Sequence, residues 1–97
     1  MKSLNTIKEI IKKNKKQLEE NYKVNILGIF GSYSHHNAHK NSDIDILVEF
    51  SETPDFFEFI RLENFLKNLL GIEVDLVTRN ALKPLIKNEI LKETIYI

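Results

Sequence analysis

The chain has 97 residues, 42% of them hydrophobic and 29% charged, with a formal net charge of zero and no cysteine. That composition fits one compact domain over residues 1–97 and excludes disorder, disulfides and thiolate chemistry. Zero net charge gives no support to non-specific attraction to nucleic acid, and no apolar run reaches the roughly 18–20 residues of a membrane span. The lysine-rich amino terminus lacks the continuous apolar stretch of a secretory signal, so a soluble cytoplasmic protein is expected.

Residues 4–22 place Leu4, Ile7, Ile11, Leu18 and Tyr22 on one stripe at helical spacing, with lysines elsewhere. Ser3 or Asn5 could cap this helix, and Thr6-x-x-Glu9 has the form of a capping box. Val24 to Phe30 is apolar on both alternating faces, as expected of a strand buried on both sides, and Gly31 ends it. Ser32–His39 reads as one or two helical turns followed by a loop at Lys40-Asn41-Ser42. Asp43–Phe50 alternates cleanly: Ile44, Ile46, Val48 and Phe50 face one way, while Asp43, Asp45, Leu47 and Glu49 face the other.

Thr53 as cap and Pro54 at the first helical position predict a helix that runs to about Leu70 and stops at Gly71. Phe56, Phe59, Ile60, Leu62, Phe65, Leu66 and Leu69 form its apolar face, with the phenylalanines expected in the core. Ile72–Val77 is a third strand with Asp75 on its more polar face. Pro84 suits a further helix start, with Leu85, Ile86, Ile90 and Leu91 inward. Thr94–Ile97 could end that helix or add an edge strand. The expected architecture is α/β (α+β): a small mixed sheet of three to four strands layered with helices.

Charge is unevenly placed. Residues 1–23 carry Lys2, Lys8, Lys12, Lys13, Lys15, Lys16 and Lys23 against Glu9, Glu19 and Glu20. Residues 41–60 hold Asp43, Asp45, Glu49, Glu52, Asp55 and Glu58 with no Lys or Arg. Asp43 and Asp45 project from one side of a strand and repel each other unless a cation or a proton lies between them. A hard divalent ion with oxygen ligands, Mg²⁺ above all, is the natural resident. The Gly31-Ser32 turn supplies backbone N–H donors suited to phosphate. Asp75 is the only Asp inside another predicted strand, and neighbouring strands stand about 4.8 Å apart, close enough for the three carboxylates to converge.

Taken singly, each feature has an ordinary structural explanation. The conjunction does not: strand, Gly31-Ser32, ten residues, Asp43-x-Asp45 on a second strand, a helix, then Asp75 on a third. It resembles the minimal nucleotidyltransferases of the DNA polymerase β superfamily, in the form Gly-Ser-x₁₀-Asp-x-Asp, over nearly the whole chain. The resemblance implies a polymerase-β-like core in which Gly31 and Ser32 hold a nucleotide triphosphate and Asp43, Asp45 and Asp75 bind two Mg²⁺ ions. It also implies a helical HEPN-type toxin as partner and ATP as substrate, with AMP transferred to a toxin tyrosine by an antitoxin of this kind. After Gly-Ser the family usually continues Tyr/Arg-Ala-Arg-Gly, whereas this chain reads Tyr33-Ser34-His35-His36. His35 thus stands in the place of a permanent cation near the phosphates. Its imidazole, with an unperturbed pKa of about 6.5, is largely neutral at pH 7 until a nearby phosphate raises it.

Larger members of the superfamily carry extra domains that hold the acceptor. This chain is expected to rely on a partner protein, or on a second copy of itself, to complete the site. Two other classes use the same residues: an antitoxin that acts by docking alone, and a small-molecule nucleotidyltransferase.

Overall fold

A computed structural model describes residues 2–34 and 43–97. Its elements are α1 (Leu4–Lys13), α2 (Lys15–Tyr22), β1 (Val24–Phe30), β2 (Ile44–Phe50), α3 (Phe56–Leu70), β3 (Val74–Thr78), α4 (Pro84–Glu93) and β4 (Ile95–Tyr96), with short 3₁₀ turns at Gly31–Tyr33 and Arg79–Ala81. One mixed four-stranded sheet runs β3-β2-β1-β4. β2 and β3 are parallel, and β1 is antiparallel to both β2 and β4.

The core lies on one face of this sheet. Leu27, Ile29, Ile44, Ile46, Val48, Val74 and Leu76 meet Ile7, Ile11, Leu18, Leu62, Leu66 and Leu70 from the first three helices. The apolar stripe expected over residues 4–22 is present, but it is carried by two helices rather than one. Asn14 separates them, at φ −107° and ψ 9°, and its side-chain amide donates to the Ile10 carbonyl at 2.8 Å. That bond competes with the helical ladder and breaks it, while Ile11 and Leu18 keep the same buried side. Ser3 is the cap of α1, accepting from the Thr6 amide at 3.2 Å.

β1 is buried on both faces only from Leu27 onward. Its pairing with β2 is irregular between Val24 and Ile26, which leaves Asn25 and Ile26 exposed. α3 starts later than Thr53-Pro54 predicts. Asp55 caps it, accepting from the Glu58 amide at 2.8 Å, and the Glu58 carboxylate accepts from the Asp55 amide at 3.2 Å. This reciprocal box satisfies two otherwise orphaned donors, which a threonine ahead of a proline does not do here. Gly71 closes the helix in the left-handed region, at φ 70°.

The expected core is corrected at this end of the helix as well. Leu62, Leu66 and Leu70 are buried and Phe59 and Phe65 pack against the core, but Phe56 and Phe57 stand out into solvent in an edge-to-face pair. Similarly, α4 begins at Pro84 as expected, yet Leu85 is 96% exposed and Ile86 is exposed too, so neither lies inward. β3 begins at Val74 rather than Ile72. The Glu73 carbonyl accepts from the Ile44 amide at 2.9 Å, which fixes where β2 and β3 start to pair. The carboxyl-terminal residues resolve as an edge strand: Ile95 and Tyr96 pair with Ile29 and Gly28.

Candidate active site

β1 and β2 run antiparallel, so the end of one strand lies beside the start of the other. Phe30 is opposite Asp45, and the turn at Gly31 therefore opens beside that carboxylate. β2 and β3 run parallel, with Asp45 directly opposite Asp75. Residues opposite each other on neighbouring strands point to the same face. Phe30, Asp45 and Asp75 thus form one row across three strands, on the sheet face away from the main core. Ile44, Ile46, Val74 and Leu76 face that core and hold the two acid-bearing strands in place.

The three acids differ in setting. Asp45 is half-buried on a central strand, Asp75 is exposed on the edge strand, and Asp43 is exposed just before β2 begins. Burial is the largest cause pushing the Asp45 carboxyl up, followed by the charge of Asp75, a hydrogen bond shared with Asp75, and the charge of Asp43; together they bring it to about 6. A buried carboxylate beside like charges favours its neutral form, and a cation placed among the three would reverse that preference. Among the described residues, no three His, Cys, Asp or Glu side chains close into a finished metal-ligand group. Asp45 stands directly opposite Asp75 across β2 and β3, and Asp43 lies just ahead of β2, so a cation held by all three would bridge two strands and the approach to one of them. The donor set is all oxygen and anionic, which suits Mg²⁺.

Gly31 is bound to this arrangement by its shape. Its φ is 72°, and a Cβ at this position would run into Oδ2 of Asp45. Only glycine gives both the left-handed conformation and the close approach of backbone to carboxylate. From there the chain makes a single 3₁₀ turn, pinned by Tyr33, which is buried in the core cluster. Ser32 is half-buried between them. Further along the same sheet face, Arg79 Nη1 lies 3.8 Å from Glu49 Oε1, so this arginine is turned to Glu49 rather than to Asp75. His35, the expected phosphate neighbour, and the rest of the expected helical turns and loop through Ser42 lie outside the described residues.

Sequence reasoning thus brings Gly31, Ser32, Asp43, Asp45 and Asp75 to one end of the sheet. It missed the anchoring role of Tyr33, whose signal was an aromatic residue directly after a Gly-Ser turn.

The nucleotidyltransferase domain model matches residues 7–97. The chain belongs to the nucleotidyltransferase domain family. This nucleotidyltransferase is 52% identical over 98 residues to a Methanocaldococcus jannaschii protein assigned as a protein adenylyltransferase, with all of both chains covered. It is 43% identical over 97 residues to the protein adenylyltransferase MntA of Thermococcus cleftensis, covering 100% of this chain and 98% of the relative. A solved structure described as a minimal nucleotidyltransferase superposes with a TM-score of 0.82 at 30% identity, covering 97% of this chain and 95% of the other. A second, the MNT antitoxin in complex with the tri-AMPylated HEPN toxin of Shewanella oneidensis, gives a TM-score of 0.66 at 26% identity, covering 93% and 70%. The expected nucleotidyltransferase core, with its mixed sheet and helical layer, is the observed fold.

Proposed function

We propose that this chain is a Mg²⁺-dependent protein adenylyltransferase that transfers AMP from ATP to a tyrosine hydroxyl of a HEPN-type toxin and so acts as its antitoxin, in the cytoplasm. The observation that carries the reading is the direct pairing of Asp45 with Asp75 while the Gly31 backbone abuts the same Asp45 carboxylate. The acid pair and the glycine turn thereby lie side by side, which supports reading them as the metal and phosphate ligands of one site. The adenylyltransferase relatives and the AMPylated toxin in the Shewanella complex support the choice of AMP and of a protein acceptor.

In this reading Asp43, Asp45 and Asp75 hold two Mg²⁺ ions, which supply the positive charge that offsets negative charge building on the phosphate oxygens. Ser32 and the backbone N–H groups of the Gly31 turn hold the β- and γ-phosphates, with His35 near them. The acceptor oxygen attacks the α-phosphorus and forms a new O–P bond. The bond from that phosphorus to the bridging oxygen breaks, and pyrophosphate leaves with the electron pair. Asp75, exposed on the edge strand where an acceptor can reach it, takes the hydroxyl proton. The acceptor itself is positioned by the partner, since such transfer depends chiefly on alignment.

The test is transfer of label from α-³²P-ATP to a HEPN-type toxin, with Mg²⁺ present, by wild type and by the Asp43→Asn/Asp45→Asn variant. Loss of transfer in a folded double variant is expected, and intact transfer would end the reading. Protection of cells by the double variant without added AMP would instead assign the antitoxin effect to docking alone.

A further inference from the structure

The turn that presents Ser32 is closed twice, and both closures come from Ser34. The Gly31 carbonyl oxygen accepts from the Ser34 amide at 3.1 Å and from the Ser34 hydroxyl at 2.8 Å. A carbonyl oxygen has two lone pairs, so the two bonds do not compete. Their joint effect is to fix the direction of one peptide unit, the one joining Gly31 to Ser32. In a planar trans peptide the C=O and the N–H point in opposite directions. Tying the Gly31 carbonyl to Ser34 therefore aims the Ser32 N–H to the other side of the turn. In a 3₁₀ turn the bonds run from residue i+3 back to residue i, so Ser34 is the first residue whose N–H the turn itself satisfies. The Ser32 and Tyr33 N–H groups come before it and have no partner inside the turn.

A single glycine in the left-handed region is a soft joint, because glycine crosses between positive and negative φ at little cost. Gly31, at φ 72°, is such a joint, and it sits against the Asp45 carboxylate. The Ser34 backbone bond alone closes the turn. The hydroxyl bond adds a second constraint on the same oxygen, from a half-buried side chain.

We propose that Ser34 is a positioning residue for the nucleotide: its hydroxyl locks the Gly31-Ser32 peptide so that the Ser32 N–H is already aimed before a phosphate arrives. The inference rests on the reading of this turn as the triphosphate site. It assigns Ser34 no contact with substrate. Preorganisation of this kind acts on binding of the triphosphate, and with the reacting atoms elsewhere it leaves the chemical step little changed.

The experiment compares wild type, Ser34→Ala and Ser34→Thr. The first variant removes the hydroxyl and keeps the backbone bond; the second restores a hydroxyl on the same Cβ. Binding of the Mg²⁺ complex of α,β-methylene-ATP is measured by calorimetry, and the Ser32 amide resonance is followed by NMR in the nucleotide-free protein. Ser34→Ala is expected to weaken binding about five-fold, the worth of one neutral hydrogen bond, and to raise KM for ATP by a similar factor with kcat little changed. The Ser32 amide resonance should move in Ser34→Ala and return in Ser34→Thr, as should the affinity. Unchanged affinity in Ser34→Ala, an unmoved Ser32 resonance, or failure of the threonine variant to restore both would overturn the proposal. If wild type does not bind the nucleotide at all, the triphosphate reading of the turn falls. The Ser32 resonance then still reports whether Ser34 sets that peptide.

Discussion

Replacing Asp45 with asparagine should make the metal-free protein more stable while removing its catalytic capacity. The side chain keeps its size and loses the charge that Asp75 and Asp43 oppose. The carboxyl rises from 3.8 to about 6 on folding, so the sign is fixed. Below 3.8 it is protonated in both states and carries no penalty. Above about 6 it is ionised in both states, and the folded protein bears the full cost of burial and repulsion. At neutral pH a shift of this size in a dry site corresponds to about 3 kcal/mol, at 1.36 kcal/mol per unit. Asp45 is only half-buried, and water screening reduces that to about 1 kcal/mol. For a chain of 97 residues this is a rise in Tm of about 4–8 °C. Thermal melts of both proteins in EDTA at pH 7.5 and at pH 3.5 would read it. The gain should be present at the higher pH and nearly absent at the lower one. Mg²⁺ should raise the Tm of wild type more than that of the variant, because only wild type offers the full set of carboxylates. A variant less stable than wild type at pH 7.5, or a gain that is the same at both pH values, would refute the reasoning.

Gly31→Ala places a Cβ against the Asp45 carboxylate and forces a non-glycine residue to φ 72°. It should cost about 1–2 kcal/mol by chemical denaturation and weaken Mn²⁺ binding, because the carboxylate must swing aside to make room. Leu66→Ala should cost about 2–5 kcal/mol, since Leu66 is fully buried in the core. Phe57→Ser, at a side chain 76% exposed, should stay within about 0.5 kcal/mol of wild type. Equal losses from these last two substitutions in urea titrations would contradict the assigned core boundary.

Period-two alternation made most of the site legible before any coordinates. It places Asp45 on the outer side of β2 and Asp75 on the polar side of β3, because side-chain direction along a strand follows from the backbone alone; Asp43, expected to open that strand, stands just ahead of it. Which residue stands opposite which does not follow from the backbone alone. The facing of Asp45 and Asp75 depends on the parallel pairing of β2 with β3, anchored by the Ile44 amide on the Glu73 carbonyl. Helix ends were less legible for a related reason. Thr53-Pro54 and Asp55-x-x-Glu58 are both valid start signals, and side-chain reach decided for the second. Asn14 broke a helix without disturbing its stripe, which periodicity is unable to register. Phe56 shares α3 with residues that pack into the core, but helical spacing says nothing about how far along the helix that contact extends; α4, which carries Leu85 and Ile86, contributes no residue to the core cluster.

The unequal footing of the three acids gives the site a gradient of stiffness. Asp45 is fixed by strands on both sides, Asp75 by one strand alone, and Asp43 stands ahead of its strand. A cation entering such a site would meet one carboxylate held between two strands, one on an edge strand and one ahead of its strand. Asp45 and Asp75 already face each other, so part of the repulsion is present in the resting protein and raises the Asp45 carboxyl. A metal bound here would have its shell completed by Asp43, the acid least tied to the sheet, and its charge would relieve the repulsion that the Asp45–Asp75 pair already bears.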